Sequence, residues 1–287
     1  MMQFDNFSSH ILRYTEKYQK VSTILSRMYY MTVIIYIFTP FMDYALFKFT
    51  TQEMVGLPHI LPSWSPLDGF SFVCYILSIC YEVVSCTYCV FTHVAFDLTS
   101  IGIMIFICGQ FAYLKYFSEK IGSKHEKCTP NTADLHAHDC VARSHKILIV
   151  LMKMTILLNQ LLKNILGVYF FLATLTLCSV AVRLNSELSS MQLVSILQYM
   201  CGTLTQLYLY CRFGDNVKNE SSIGMGEGPF IAAHWRLSPK IRKELTLLGA
   251  AMMMPRHLYA GPFISLDLPS FIMVVRTAYS YYAVIRK

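Results

Sequence analysis

The sequence predicts an all-α fold, a polytopic membrane helical bundle of about five spans whose long helices protrude into the cytosol. Three observations carry this. Hydrophobic residues are 55% of the 287 positions and charged residues only 14%, against about 25% charged in a soluble domain. The apolar residues gather into runs of about 20, which at 1.5 Å per residue cross a bilayer core. Lys and Arg cluster before residue 28, in 115–153 and in 212–256, and are sparse in 48–69 and 183–192. That alternation is the positive-inside pattern, with the N-terminus in the cytosol and, for an odd span count, the C-terminus outside.

Residues 1–27 read as a cytosolic N-terminal segment. MMQFDNFSSHILRYTEKYQK is polar and mixed in charge, and it lacks the short apolar region of a signal peptide. A first span follows over 28–47, with Asp43 its one charge. In TTQEMVGLPHILPSWSPLDG the prolines 58, 62 and 66 exclude a regular helix. Trp64 there suits a membrane interface.

Residues 70–117 contain neither proline nor a polar cluster. They read as one helix of about 72 Å, more than twice the bilayer core, spanning in its first half and protruding after Asp97. A polar, basic loop is expected over 118–145. From His145 the pattern reverses. Lys146, Lys153 and Gln160 recur every seven residues and 165–182 is uncharged, so this helix protrudes first and spans second. A short outer loop at 183–191 leads into a descending span over 193–211.

The organisation is thus a membrane bundle with cytosolic extensions over 28–212, a cytosolic loop and amphipathic anchor helix over 213–260, and a terminal span over 261–287. Ser238 and Pro239 suit the N-cap and first position of the anchor helix. Ile241, Leu245, Leu248, Ala251 and Met252 form one apolar stripe along it.

Chemistry by side chains is not expected. Most of the ten cysteines lie inside apolar runs, where they read as small buried hydrophobes. Cys86-x-x-Cys89 with His93 reads as packing rather than as a metal site. His136 and His138 with Cys128 and Cys140 read as part of a mobile loop. Phosphate-loop, zinc-protease and serine-hydrolase motifs are absent. The glycines of ESSIGMGEGP read as a flexible turn. The expectation is a protein that is not an enzyme, with no cofactor, no metal and no nucleic acid. Asn6 and Asn219 head glycosylation sequons but fall on the cytosolic side.

Four stretches carry a resemblance. LPHILPSWSP resembles the proline-rich extracellular loop of insect odorant receptors, and DCVARSHKIL resembles the start of one of their helices. YLYCRFGDNVKNESSIGMGEGPFIAAHW is similar to the stretch after their penultimate span, and AGPFISLDLPSFIMVVRTAYSYYAVIRK to their last helix. They agree in order from about residue 25 to the end. The gustatory receptors are a near alternative, but their terminal Thr-Tyr…Gln-Phe signature is missing.

The resemblance implies a seven-span subunit of an odorant-gated, non-selective cation channel. Such a subunit sits in the plasma membrane as a hetero-tetramer with a shared co-receptor and binds a small volatile organic ligand. Two spans of the family pattern precede the one at Met28 and are missing here. The expected ligand residues are Tyr36, Phe41, Tyr44, Phe72, Tyr75, Ile79 and Tyr199. The expected pore and gate residues, placed by aligning SLDL at 265–268, are Tyr279, Tyr282 and Ile285. Assembly is expected at Leu245, Leu248 and Met252, although that stripe suits the chain's own protruding helices equally. The alternatives are a polytopic transporter, which should show paired broken helices or intramembrane ionisable groups beyond Asp97 and Arg276, or a truncated receptor without function.

Overall fold

The computed structural model describes residues 2–51, 57–61, 71–119, 121, 130–184, 190–233 and 237–285. Long helices dominate the chain. They are α1 (Met2–Thr51), α2 (Phe72–Glu119), α3 (Pro130–Arg183), α4 (Ser190–Glu220), α5 (Glu227–Ala232), α6 (Pro239–Met252) and α7 (Leu268–Ile285). Between α6 and α7 lies a two-stranded antiparallel hairpin, β1 (Tyr259–Ala260) and β2 (Ile264–Ser265). It is a small addition to an all-α fold.

Among the described residues, α1, α2 and α3 combine the length and the apolarity needed to cross a membrane. At about 46 and 27 Å, α4 and α7 are also long enough to cross. The five-span expectation rests on these two as well.

The chain divides into two compact units. One holds Met1–Gln19, Ser100–Phe171 and Tyr208–Ile272, and the other holds Lys20–Thr99, Leu172–Leu207 and Met273–Lys287. On α2 the division falls between Thr99 and Ser100, two residues after Asp97. α2 runs unbroken through it, as the absence of proline and polar clusters predicts.

In the first unit α2 presents Ile101, Met104, Ile105, Cys108 and Phe111, and α3 presents Leu148, Leu151, Leu158 and Leu162, all buried. Both sets follow the three-and-four spacing of a helix face turned to a core. The hairpin is pinned to α3 by hydrogen bonds from its main-chain N–H groups. The Gly261 N–H donates to the Lys163 carbonyl at 2.7 Å, and the Tyr259 N–H donates to Asn159 Oδ1 at 2.8 Å. Gly261 turns with φ +69°, and a Cβ on Gly167 would lie 2.7 Å from the Gly261 Cα. Two glycines therefore let helix and hairpin touch backbone to backbone.

Four expectations need correction. The helix containing the first span starts at Met2 rather than Met28, because neither proline nor glycine interrupts 1–27, which run on into the apolar stretch. The segment expected as a loop over 118–145 is helical from Pro130, where α3 begins. Ala133, Ala137, Cys140 and Ser144 are buried on one face of α3, and the first three pack with Ile121, Ala232, Leu237, Ile241 and Leu245. The charges that suggested a loop lie on the other faces. The terminal span is confined to α7, since 261–267 belong to the hairpin and the turn after it.

The assembly residues are the fourth. Leu245, Leu248 and Met252 are 0%, 4% and 1% exposed within this chain and offer no surface to another subunit. The capping expectation for their helix holds, with the Ile241 N–H donating to Ser238 Oγ at 3.5 Å and proline in the first turn.

The second unit is thinly packed. Ile34, Phe38, Met42, Tyr81, Val84 and Tyr88 are exposed along α1 and α2. In water so much apolar surface would drive aggregation. On spanning helices, whose backbone groups are satisfied internally, such a surface suits lipid or another span.

Candidate functional site

Among the described residues of the second unit, Ser78, Glu82 and Asp97 are the buried polar or charged side chains. Asp97 of α2 is 1% exposed. Gln206 of α4 donates its amide to both Asp97 oxygens, at 3.0 and 2.8 Å, and the Tyr29 hydroxyl of α1 donates to Asp97 Oδ2. One carboxylate thus joins three helices. Such a group is costly in an apolar bundle unless it is paired and hydrogen-bonded. Gln198 of α4 also donates to Thr32 of α1, at 3.1 Å.

A second acidic side chain organises the connection into α2. Glu82 is 2% exposed. It accepts from the Ile60 N–H at 2.8 Å and the Leu61 N–H at 3.4 Å, and it pairs with His59 Nδ1 at 3.0 Å. Tyr75 reinforces this by donating its hydroxyl to the Pro58 carbonyl at 2.8 Å and setting its ring edge-to-face on His59 at 5.6 Å. In the sequence Glu82 stands out as an isolated charge inside YILSICYEVVSC, a third ionisable group beside Asp97 and Arg276.

The seven predicted ligand residues fall in several settings. Phe72 and Tyr75 meet, with ring centroids 6.4 Å apart. Tyr75 is the buried member of the set. Tyr36, Phe72 and Tyr199 are exposed, whereas Phe41, Tyr44 and Ile79 are half-buried. Lys48 Nζ lies over the Tyr44 ring at 5.9 Å.

None of the seven lines the cavity between α1 and α2. That space, of about 190 Å³, is walled by Ser26, Tyr29, Tyr30, Val33, Thr87, Val90, Phe91 and Val94. It had no separate sequence signal, because its walls read as ordinary spanning residues.

On α7, Tyr279 is exposed and Tyr282 half-buried, with ring centroids 6.3 Å apart. The Ile285 side chain lies outside the described residues. Val274 and Ala278 are buried, and Tyr282 continues their i, i+4 row. Arg276 is exposed, and its carbonyl accepts from Ser280 Oγ at 2.9 Å. In the other unit, His138 Nδ1 meets Glu244 at 2.9 Å, while Cys140 Sγ lies 3.8 Å from His136 Nε2. Cys128 is outside the described residues.

Long apolar helices joined by buried carboxylates, with an aromatic terminal helix, define a multi-pass membrane protein of the helical-bundle class. The family model described as 7tm Odorant receptor matches residues 4–279, and the chain belongs to that family. It is 25% identical over 242 residues to Odorant receptor 10 of Aedes albopictus, which covers 81% of this chain and 60% of that protein. It is 26% identical over 234 residues to Odorant receptor 22c of Drosophila melanogaster, covering 79% of this chain and 56% of that one. The chain therefore spans somewhat over half the length of these curated relatives.

Two solved structures of the olfactory receptor OR5 from Machilis hrabei share the fold. The complex with eugenol superposes with a TM-score of 0.72 and the other structure with 0.74, at 14% and 15% identity. Each covers 98% of this chain and 69% of the receptor chain.

Proposed function

We propose that this chain is the odorant-binding subunit of a ligand-gated, non-selective cation channel formed with a co-receptor, serving the sense of smell. It sits in the plasma membrane with its N-terminus in the cytosol and its C-terminus outside. The observation that carries this reading is the family match over nearly the whole chain, supported by the shared fold of a receptor solved with eugenol.

The ligand is a small volatile held between the helices carrying Tyr36, Phe41, Tyr44, Phe72, Tyr75, Ile79 and Tyr199. Burial of apolar area, at about 25 cal/mol per Å², supplies most of its affinity. α7 lines the pore, with Tyr279, Tyr282 and Ile285 near its outer end. An aromatic and apolar ring there closes the pore by dewetting.

Assembly with the co-receptor uses exposed apolar residues of the anchor region. Leu247, Met253 and Met254 are exposed and replace the buried stripe in this role. Leu247→Asp reduces co-purification with the co-receptor while leaving the chain folded.

The test is co-expression with an odorant co-receptor and recording of current evoked by a volatile panel. Evoked cation current supports the reading. Substrate uptake without current overturns it in favour of a transporter. Tyr75→Ala and Tyr199→Ala shift the dose–response curves without preventing assembly, and Tyr282→Ala raises leak or changes relative cation permeability. Unchanged curves at both alanine sites remove the pocket assignment. Unchanged leak and permeability with normal surface expression remove Tyr282 from the pore.

A further inference from the structure

From the place of Arg276 on α7 we infer that this residue borders the ion pathway and sets its charge selectivity, holding divalent cations back relative to monovalent ones. The inference rests on the channel reading above and adds a residue and a property to it.

Arg276 is the ninth of the 18 residues of α7. It therefore stands at the middle of the span, where a guanidinium that never loses its charge is hardest to accommodate. The buried residues of α7 are Ser270, Val274 and Ala278, four apart and so in one row. That row turns toward the chain's own helices, with Cys178 Sγ of α3 lying 4.0 Å from the Ala278 carbonyl oxygen. At about 100° per residue, Arg276 points about 160° away from Val274. Ile272, Arg276, Tyr279 and Ser280 are the exposed side of the helix.

A charged side chain within a span is held either by a partner inside the bundle or by water in a cavity. Arg276 is turned away from the bundle, and among the described residues no carboxylate stands within ion-pair distance of it. The buried carboxylates of the same unit are bonded to other groups, Asp97 to Gln206 and Tyr29, and Glu82 to His59 and the Ile60 N–H. Water is what remains to solvate the guanidinium. Its position agrees, because Arg276 continues the row of Tyr279, Tyr282 and Ile285 by one further step of three, one turn below the residues assigned to the outer end of the pore. The guanidinium then acts on each ion that passes. A doubly charged ion meets twice the repulsion of a singly charged one, so the fixed positive charge lowers divalent permeation more than monovalent and leaves the pathway open to Na⁺ and K⁺.

The test uses the complex of the full chain with an odorant co-receptor, each variant being compared at the parent's surface expression. The permeability of Ca²⁺ relative to Na⁺ is read from reversal potentials. Arg276→Gln should raise this ratio about threefold, the effect of one unit of charge at about 6 Å in water. Arg276→Glu should raise it further, and Arg276→Lys should keep it near the parent's. A second readout needs no current. Arg276→Cys and Val274→Cys are treated with the water-soluble cationic thiol reagent MTSET, and the modified peptides are identified by mass spectrometry. Arg276→Cys should react, and Val274→Cys, on the buried row, should not. An unchanged ratio in both the Gln and Glu variants overturns the proposal. So does an Arg276→Cys as inert as Val274→Cys, which would mean that protein or lipid covers this face. A parent complex without evoked current whose Arg276→Cys variant is labelled defeats the channel reading and keeps the aqueous face. Evoked current with an inert Arg276→Cys and an unchanged ratio does the reverse.

Discussion

Two glycines twelve residues apart on α4 should respond oppositely to the same substitution. A Cβ on Gly214 would stand 2.3 Å from the Leu266 carbonyl oxygen, 2.5 Å from the Leu266 Cβ and 3.1 Å from its carbonyl carbon. A carbon approaches a carbonyl oxygen only to about 3.3 Å, so Gly214→Ala must push the chain after β2 away by roughly 1 Å. The obstructing atoms are largely backbone. Leu266 is held by its N–H to the Leu258 carbonyl at 2.8 Å, and no rotamer change relieves the clash. Overpacking of a buried site costs about 1–3 kcal/mol, and a backbone obstacle places this case at the upper end. With about 2–4 °C lost per kcal/mol in a chain of this size, the melting temperature should fall by roughly 5–10 °C. At Gly202 a Cβ would meet nothing within 4 Å. There Gly202→Ala gains about 0.5–1 kcal/mol of helix propensity and should hold or slightly raise the melting temperature. The assay is thermal unfolding of the detergent-solubilised chain followed by size-exclusion chromatography. Equal shifts for the two variants, or no loss for Gly214→Ala, would refute the close approach of α4 to Leu266.

Three further substitutions test the polar groups. Asp97→Ala leaves the Tyr29 hydroxyl and the Gln206 amide without their carboxylate and should cost about 1–2 kcal/mol; the same unfolding assay should show Asp97→Asn recovering part of it. Glu82→Gln removes a charge-assisted acceptor of the Ile60 N–H, and a loss of about 1.4 kcal/mol would speed exchange at that amide roughly tenfold. Hydrogen exchange read by mass spectrometry over 57–61 checks this, and unchanged exchange would mean that Glu82 does not hold the loop. Asp267, in the turn before α7, accepts from the Ser270 N–H at 3.0 Å and from the Ser265 and Ser270 hydroxyls; Asp267→Ala should cost about 1 kcal/mol as a lost N-cap. Burial pushes the Asp267 carboxyl up, but these hydrogen bonds outweigh it and hold it below its ordinary value. Its stabilisation is therefore present above the unfolded-chain pKa and lost as pH falls through the lower folded value, so the gap between Asp267→Ala and the parent should close at acid pH.

The long helices were legible because length, apolarity and charge placement all speak through local sequence. The unbroken course of α2 follows from the absence of proline between Phe72 and Glu119, and the cap at Ser238 from the Ser238-Pro239 pair. The start of α3 was hidden. Its buried face is Ala133, Ala137, Cys140 and Ser144, all small, and small residues at helical spacing among histidines and aspartates do not stand out as an apolar stripe. What makes them a core is the arrival of Leu237, Ile241 and Leu245, a hundred residues later in the chain. Asp134 and His138 of α3 reach the same partner, accepting from the Ser238 N–H at 3.1 Å and pairing with Glu244 at 2.9 Å. Charges that suggested a solvated loop are here the fastening of one helix to another.

The same distinction explains why the candidate site was only half readable. An aromatic residue announces its surface but not its neighbour. Tyr75 and Phe72 proved to be together, whereas Tyr29, an equally plain tyrosine, lies on both the cavity and the Asp97 node. Asp97 was noticed as a lone charge, but its meaning depends on Tyr29 and Gln206, which are 68 and 109 positions away. A buried carboxylate is tolerable in an apolar bundle only where donors from other helices converge on it. Its presence in the sequence therefore says that such donors exist, without saying which. The stripe on α6 carries the complementary lesson. Its period established that one face is covered, and only the positions of Ala133, Ala137 and Ala232 decided that α3 and α5 of the same chain cover it at Ile241 and Leu245.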